Sequence, residues 1–261
     1  MRPTKAAGKA AKPSRSDDTN VKHLLLLFAG LLFSYRSPAQ QVIAHRGAWK
    51  SSAQNSLASL REAIRLGCYG SEFDVHLSAD SIPVISHDHE IGGLSIEKST
   101  WKQLSQVRLA NGERLPTLEE YLKEGLRQRK TKLILEIKVS REGRSELLTE
   151  VCVALVRKLN ARKQVEYISF GLDVCRKIRE LDPRARVFYL NGDIAPDQLP
   201  AGISPDYPYP AYEKHPDWLS TERPTNVWTV NDGDRMRWFI DRKVRFITTD
   251  EPERLLQLLR P

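Results

Sequence analysis

From residue 41 onward, short apolar runs alternate with amphipathic segments, and the runs end in polar or charged groups. VIAHRG closes on Gly47, and SLASLREAIRLG has apolar residues at helical spacing before its terminal Gly67. SEFDVHL alternates at period two, and IPVISHD is a second short strand after the turn-like Ala79-Asp80-Ser81. The core strands read VIAHR, SEFDV, LILEI, VEYIS, RVFYL, the stretch around Ile203, NVWTV and RFITT. Eight strands, each followed by a helix or helix-like segment, predict an α/β fold: a (β/α)8 TIM barrel with a small insertion after strand 2. A doubly wound open sheet is the structural alternative. The sixth strand has the least pattern, because it adjoins the Pro-rich DYPYPAY, which reads as a loop, with HPDWLSTE after it as a short helix.

The first 39 residues do not share this pattern. Leu24 to Phe33 form an apolar run of ten, short of the roughly 20 residues a membrane helix needs. Lys22 precedes the run and Ser37-Pro38-Ala39 follows it, so residues 1–39 read as a signal peptide region cut after Ala39. A retained anchor is the alternative. Residues 1–20 are long, basic and polar for a signal, which suggests that translation starts at Val21. The expected location is therefore exported, periplasmic or extracellular, with residues 40–261 as the barrel domain and no stable membrane span after cleavage.

The charge also divides at this point. Of the formal +8, residues 1–39 carry seven Lys/Arg against two Asp, a net +5. The remaining +3 is an ordinary surface charge, and no basic stripe interleaved with aromatics marks a nucleic-acid partner. An apolar content of 40% fills a core, which excludes whole-chain disorder, and three cysteines cannot frame a disulfide mini-protein.

In a barrel, chemistry gathers at the C-terminal ends of the strands. Those ends carry His45-Arg46-Gly47, Glu72-Phe73-Asp74, His87-Asp88, Glu136-Ile137-Lys138, Thr229-Val230-Asn231 and Thr248-Thr249-Asp250. Residues two apart on a strand share a face, so Glu72 and Asp74 point together, as do Glu136 and Lys138. Three carboxylates at one mouth need a cation to offset their repulsion, and oxygen ligands suit one divalent ion, Ca2+ or Mg2+. Two histidines, an Arg and a Lys beside that ion supply proton transfer and anion binding, the combination a phosphodiester substrate requires.

Taken together, AHRG, E-x-D, V-x-x-HD, LEIK, VWTVN and ITTDEP resemble the glycerophosphodiester phosphodiesterase family, in that family's order and from Val42 to about Leu256. The resemblance implies Glu72, Asp74 and Glu136 as metal ligands and His45 and His87 as catalytic acid and base. It implies Arg46 and Lys138 as phosphate-holding residues, with Trp228 and Asn231 lining the pocket mouth. Asp88 is placed to orient His87, and Asp250 either caps the final helix or touches the chemistry. The implied reaction is hydrolysis of a glycerophosphodiester such as glycerophosphocholine to glycerol 3-phosphate and an alcohol. Its nucleophile is water, or the glycerol 2-hydroxyl as in the related phosphatidylinositol-specific phospholipases C. One departure is visible: where the family commonly has Pro-Glu-Asn-Thr, this chain has Ala53-Gln54-Asn55-Ser56, one negative charge fewer. The alternatives are a catalytically weak barrel that binds phosphorylated polyols, and an enzyme acting on lysophospholipids or phosphoinositides.

Four further features have plain readings. His76 and His89 read as supporting or surface groups. Tyr207, Tyr209, Tyr212 and Trp218 are either a stacking wall for a cationic head group or loop packing. Cys68, Cys152 and Cys175 read as buried thiols, with a Cys152–Cys175 disulfide open in an oxidising compartment.

Overall fold

In the computed structural model, residues 40–260 are described, together with 1, 3, 4 and 8. The signal-peptide reading of residues 1–39 and the Val21 start lie outside the described residues.

Strand β1 (Gln41–Ala44) is followed by helix α1 (Leu57–Leu66) and β2 (Gly70–Leu77). A short excursion then intervenes: β3 (Pro83–Ile85) runs antiparallel to β2, and β4 (Glu90–Ile91) pairs with β5 (Leu94–Ser95) in a small hairpin. After α2 (Trp101–Leu104) and α3 (Leu118–Gly125) the parallel sheet resumes. It continues through β6 (Lys132–Ile137), β7 (Val165–Ser169), β8 (Val187–Tyr189), β9 (Ile203–Pro208), β10 (Asn226–Trp228) and β11 (Phe246–Thr249). The pairing of β1 with both β2 and β11 closes eight parallel strands into a barrel. Closure excludes the open doubly wound sheet, and β3 with the hairpin is the small insertion after strand 2.

The outer helices include α4 (Ser145–Lys158), α5 (Leu172–Leu181), α7 (Gly233–Asp241) and α8 (Pro252–Leu258). The Pro-rich stretch differs from its reading as a loop: β9 runs to Pro208, and a six-residue helix, α6 (Tyr209–Lys214), follows at once. Pro210 stands in its first turn, where a missing N–H removes no helical bond. The segment read as a helix from His215 is a 3-10 turn, Pro216–Ser220. No helix among the described residues is long and apolar enough to cross a membrane.

The apolar residues form two layers. Alternate strand residues face outward under the helices, among them Val42, Val75, Leu135, Tyr167 and Ile247. The others fill the barrel: Ile43, Ile134, Ile168, Phe188, Leu190 and Phe246 form a separate cluster, with Tyr69 and Trp228 against it. Phe246 is central there, its ring centroid 5.0 Å from that of Tyr69 and 6.0 Å from that of Phe188.

The three cysteines are free and buried. The disulfide left open by the sequence does not form; Cys175 Sγ instead faces the carbonyls of Ser169 and Phe188. Burial pushes the Cys68 and Cys175 thiols up to about 12, so neither is a nucleophile at neutral pH.

Phe246→Ala empties part of the barrel interior and is expected to cost about 3–5 kcal/mol of stability, read as a lower urea midpoint with an unchanged slope.

Candidate active site

The first strand ends in a sharp turn that the sequence dictates locally. Arg46 and Gly47 both adopt positive φ, 54° and 80°. A Cβ on Gly47 would lie 2.8 Å from the Ser59 backbone carbon, so glycine is required by space as well as by φ. Helix α1 braces this turn: Ser56 caps its first turn in a reciprocal pair with Ser59, whose hydroxyl also donates to the Arg46 carbonyl at 3.1 Å. Arg46 is a non-glycine residue held in the left-handed region, a strain that occurs where a site is over-determined. Its own N–H donates to Glu72 Oε2 at 2.7 Å.

Strand register builds the carboxylate group. Asp74 and Glu136 are direct partners across the β2–β6 ladder, and Glu72 shares the face of Asp74 two residues earlier. Oxygens of Glu72, Asp74 and Glu136 lie within 4.8 Å of one another, all buried. Burial and the two neighbouring charges push the Glu72 carboxyl well above its usual value. Burial and the Asp74 charge push Glu136 up in the same way. Burial also raises Asp74, but the Lys138 ammonium, His87 and a hydrogen bond from Asn55 outweigh it and bring its carboxyl down to about 2. Lys138 Nζ stands 2.7 Å from an oxygen of Asp74 and 2.7 Å from one of Glu136. Glu72 Oε1 is buried without a hydrogen-bond partner among the described residues. Three close carboxylates with an unsatisfied oxygen fit a divalent ion bound through oxygen.

Each candidate histidine has a carboxylate behind it. His45 Nδ1 lies 2.9 Å from Asp250 Oδ1, which also accepts from Trp49 Nε1 at 3.0 Å. Asn231 donates to the other Asp250 oxygen at 2.7 Å, and its own carbonyl accepts from the Asp250 N–H at 2.8 Å. Burial raises the Asp250 carboxyl, but the His45, Asn231 and Trp49 bonds win and bring it down to about 2. His87 Nδ1 lies 2.8 Å from Asp88 Oδ1, and burial lowers the His87 pKa, which favours a neutral ring. Buried His76 reaches the His87 carbonyl at 3.2 Å, so it fixes the backbone that carries His87.

Of the residues singled out in the sequence, His45, Arg46, Glu72, His87, Glu136 and Trp228 line one cavity of about 110 Å³. Asp74 is buried behind its wall. Lys138 lines the adjoining opening with His87 and Glu136. Gln54 accepts from Arg46 Nη1 at 2.8 Å, orienting the guanidinium, whose Nε lies 3.9 Å from Asp74 Oδ2. Asp250 does not cap the last helix by its side chain; it holds His45. Asn231 likewise braces Asp250 and does not line this cavity. Two of the tyrosines resolve as packing: Tyr207 and Tyr212 are fully buried, with hydroxyls on the Ile194 and Asn226 carbonyls, whereas Tyr209 is half-buried with the Arg235 guanidinium 4.5 Å from its ring centroid.

Sequence reasoning passed over Asn55, Trp49 and Asp206. Asn55, at positive φ, donates to Asp74 Oδ2 at 2.8 Å and accepts from the Asp74 N–H at 3.2 Å. Its signal was an Asn in the turn after HRG, a residue type that tolerates this φ. Asp206, 1% exposed, lines the cavity from β9, and burial pushes its carboxyl up to about 7.

The pattern of the glycerophosphoryl diester phosphodiesterase family matches residues 45–211. The chain belongs to that family. A glycerophosphodiester phosphodiesterase from Parabacteroides distasonis has the same fold, with a TM-score of 0.82 and 42% identity over 84% of this chain and 96% of that one. The glycerophosphodiester phosphodiesterase of Caldanaerobacter subterraneus is 27% identical over 241 residues, 84% of this chain and 97% of its own. An Oleispira antarctica phosphodiesterase, solved in complex with the product sn-glycerol-3-phosphate, shares the fold at a TM-score of 0.71 and 22% identity, covering 84% of this chain and 96% of that one. This member of the glycerophosphoryl diester phosphodiesterase family is thus a phosphoric diester hydrolase, and its buried acidic triad is of a kind that holds a divalent metal.

The Asp206 carboxyl predicts a slope of stability with pH. Its native pKa of about 7 lies above the ordinary 3.8, so the folded state holds the extra proton. That contribution is fully present below the ordinary value and is lost as pH rises through about 7. Asp206→Asn removes the slope. Urea unfolding is expected to show the variant gaining on the order of 2–3 kcal/mol relative to wild type between pH 5 and pH 8; a pH-independent difference would contradict a buried carboxyl that keeps its proton in the folded state.

Proposed function

We propose that the chain is an exported, metal-dependent phosphodiesterase that hydrolyses glycerophosphodiesters, such as glycerophosphocholine, to glycerol 3-phosphate and an alcohol. The observation that carries this reading is the convergence of three carboxylates, two carboxylate-braced histidines and an oriented arginine on one small cavity. The product bound by the Oleispira antarctica protein supports it.

Glu72, Asp74 and Glu136 would hold one divalent cation, Ca2+ or Mg2+, whose charge offsets the phosphate and favours the added negative charge of the transition state. Arg46, steered by Gln54, binds a nonbridging phosphate oxygen, and Lys138 adds positive charge at the edge of the site. His45 and His87 divide the proton work, one taking the proton of the attacking hydroxyl and the other delivering one to the departing alkoxide. With Nδ1 of each ring engaged by Asp250 or Asp88, Nε2 is the atom left for substrate. The three clustered carboxylates are all present and Gln54 still gives the Arg46 guanidinium an acceptor, which favours an active enzyme over a weakened barrel. Export rests on the apolar run at residues 24–33 and the small residues before Gln40.

Glycerol 3-phosphate release from glycerophosphocholine is expected with Ca2+ or Mg2+ and lost with EDTA or in Glu72→Ala. His45→Ala and His87→Ala are each expected to lower kcat by roughly 10²-fold or more. Wild-type turnover in both variants, or full activity in EDTA, would refute the assignment. For export, N-terminal sequencing of protein recovered outside the cytoplasm is expected to begin at Gln40; an intact residue 24–33 segment there would refute cleavage.

A further inference from the structure

The wall of the cavity opposite the carboxylates is polar in a way that the proposed chemistry leaves unused. In the closed barrel β9 stands four strands from β2 in either direction, so Asp206 faces the site from the far side. Asp206 and Asn226 are register partners on β9 and β10, and both line the cavity, as does Thr248 on β11. Asn226 Nδ2 donates to the Thr248 hydroxyl at 2.8 Å, which fixes the amide with its carbonyl oxygen turned away. Asp206 Oδ1 and Asn226 Oδ1 are both buried and have no hydrogen-bond partner among the described residues. The residues themselves are 1% and 3% exposed.

Two buried polar side chains side by side in a barrel interior, each with an oxygen that has no hydrogen-bond partner among the described residues, are costly, and packing does not require them: neighbouring positions of the same interior carry Ile134, Ile168 and Leu190. They offer what a hydroxyl, which both donates and accepts, needs. Trp228 defines the approach, because its indole N–H donates to the Asp206 carbonyl at 2.9 Å and holds the ring over the same strand.

We propose that Asp206 and Asn226 form a polyol subsite, hydrogen-bonding to free hydroxyls of the substrate's glycerol arm while its phosphate lies against Arg46 and the histidines. This rests on the phosphodiesterase reading for the position of the phosphate, and it adds the residues that recognise the arm. A site built to bond a hydroxyl rejects an analogue lacking it more strongly than an apolar pocket rejects an added group, because the buried polar atoms are then left unpaired.

The test measures affinity by calorimetry for glycerol 3-phosphate and for n-propyl phosphate, which keeps the phosphate and the three-carbon chain but has no hydroxyls. Wild type is expected to prefer glycerol 3-phosphate by ~10-fold or more, and Asp206→Leu to bring that ratio within ~3-fold. Asn226→Leu is the second variant, giving a smaller fall in the ratio if Asp206→Leu does not fold. Equal affinities in wild type, or a ratio unchanged in folded variants, would overturn the subsite. Hydrolysis of glycerophosphocholine by wild type is followed in parallel. A preserved affinity ratio without turnover sinks the catalytic reading alone, and turnover with an unchanged ratio sinks the subsite alone.

Discussion

Three carboxylates in one buried corner of a barrel repel each other, and the surrounding site is arranged around the offset of that repulsion. Burial and proximity push the Glu72 and Glu136 carboxyls toward holding protons, while Asp74 is kept ionised by the Lys138 ammonium between its oxygen and that of Glu136. Such a cluster is stable only with compensating positive charge, whether protons, Lys138 or a divalent ion. The same electrostatic demand that makes the corner costly to fold is one that a hard cation bound through oxygen would meet.

The groups that touch this corner are in turn held by groups that do not. Asn55 clamps Asp74 through both its amide atoms. The Arg46 backbone is fixed from Glu72, Asn55 and Ser59, while its guanidinium is steered by Gln54. Asp250 is held by Trp49 and by two hydrogen bonds with Asn231, so the ring of His45 bonded to it has a preferred orientation before any substrate arrives. The positive φ values of Arg46 and Asn55 are the local strain of this arrangement, and the capped start of α1 is what holds them.

The sequence is most informative where chemistry depends on strand periodicity. Glu72 with Asp74, and Glu136 with Lys138, are legible as same-face pairs because a two-residue repeat admits no other geometry. Asp88 beside His87 is legible because it is adjacent. Asp250 behind His45 is not, since 205 residues separate them and only barrel closure through β1 and β11 brings them together. Asp206 was hidden differently: Pro205 and Pro208 flank it, and prolines within a run argue against a strand. The barrel tolerates them because each stands at the end of a ladder, Pro205 opposite Tyr189 of β8 and Pro208 opposite Trp228 of β10. Spacing likewise did not separate packing from binding for Tyr207 and Tyr212, which required knowing that both lie under the helices.

Strand β2 links the carboxylate corner to the candidate histidines. Glu72, Asp74 and His76 occupy successive positions on one face, so the strand that supplies two carboxylates also supplies the ring that contacts the His87 carbonyl. Antiparallel β3 runs back along β2 from His76's partner Val84, and His87 follows two residues after β3 ends. The excursion after strand 2 is therefore more than a tolerated insertion. It returns the chain to the barrel mouth so that a histidine close in sequence to the clustered carboxylates can face them across a gap set by one backbone ladder. His89 packs edge-on against His76 at 4.6 Å, which ties the next loop to the same strand. A change at His76 would thus move His87 relative to Glu72 and Asp74 without removing any group that touches the substrate.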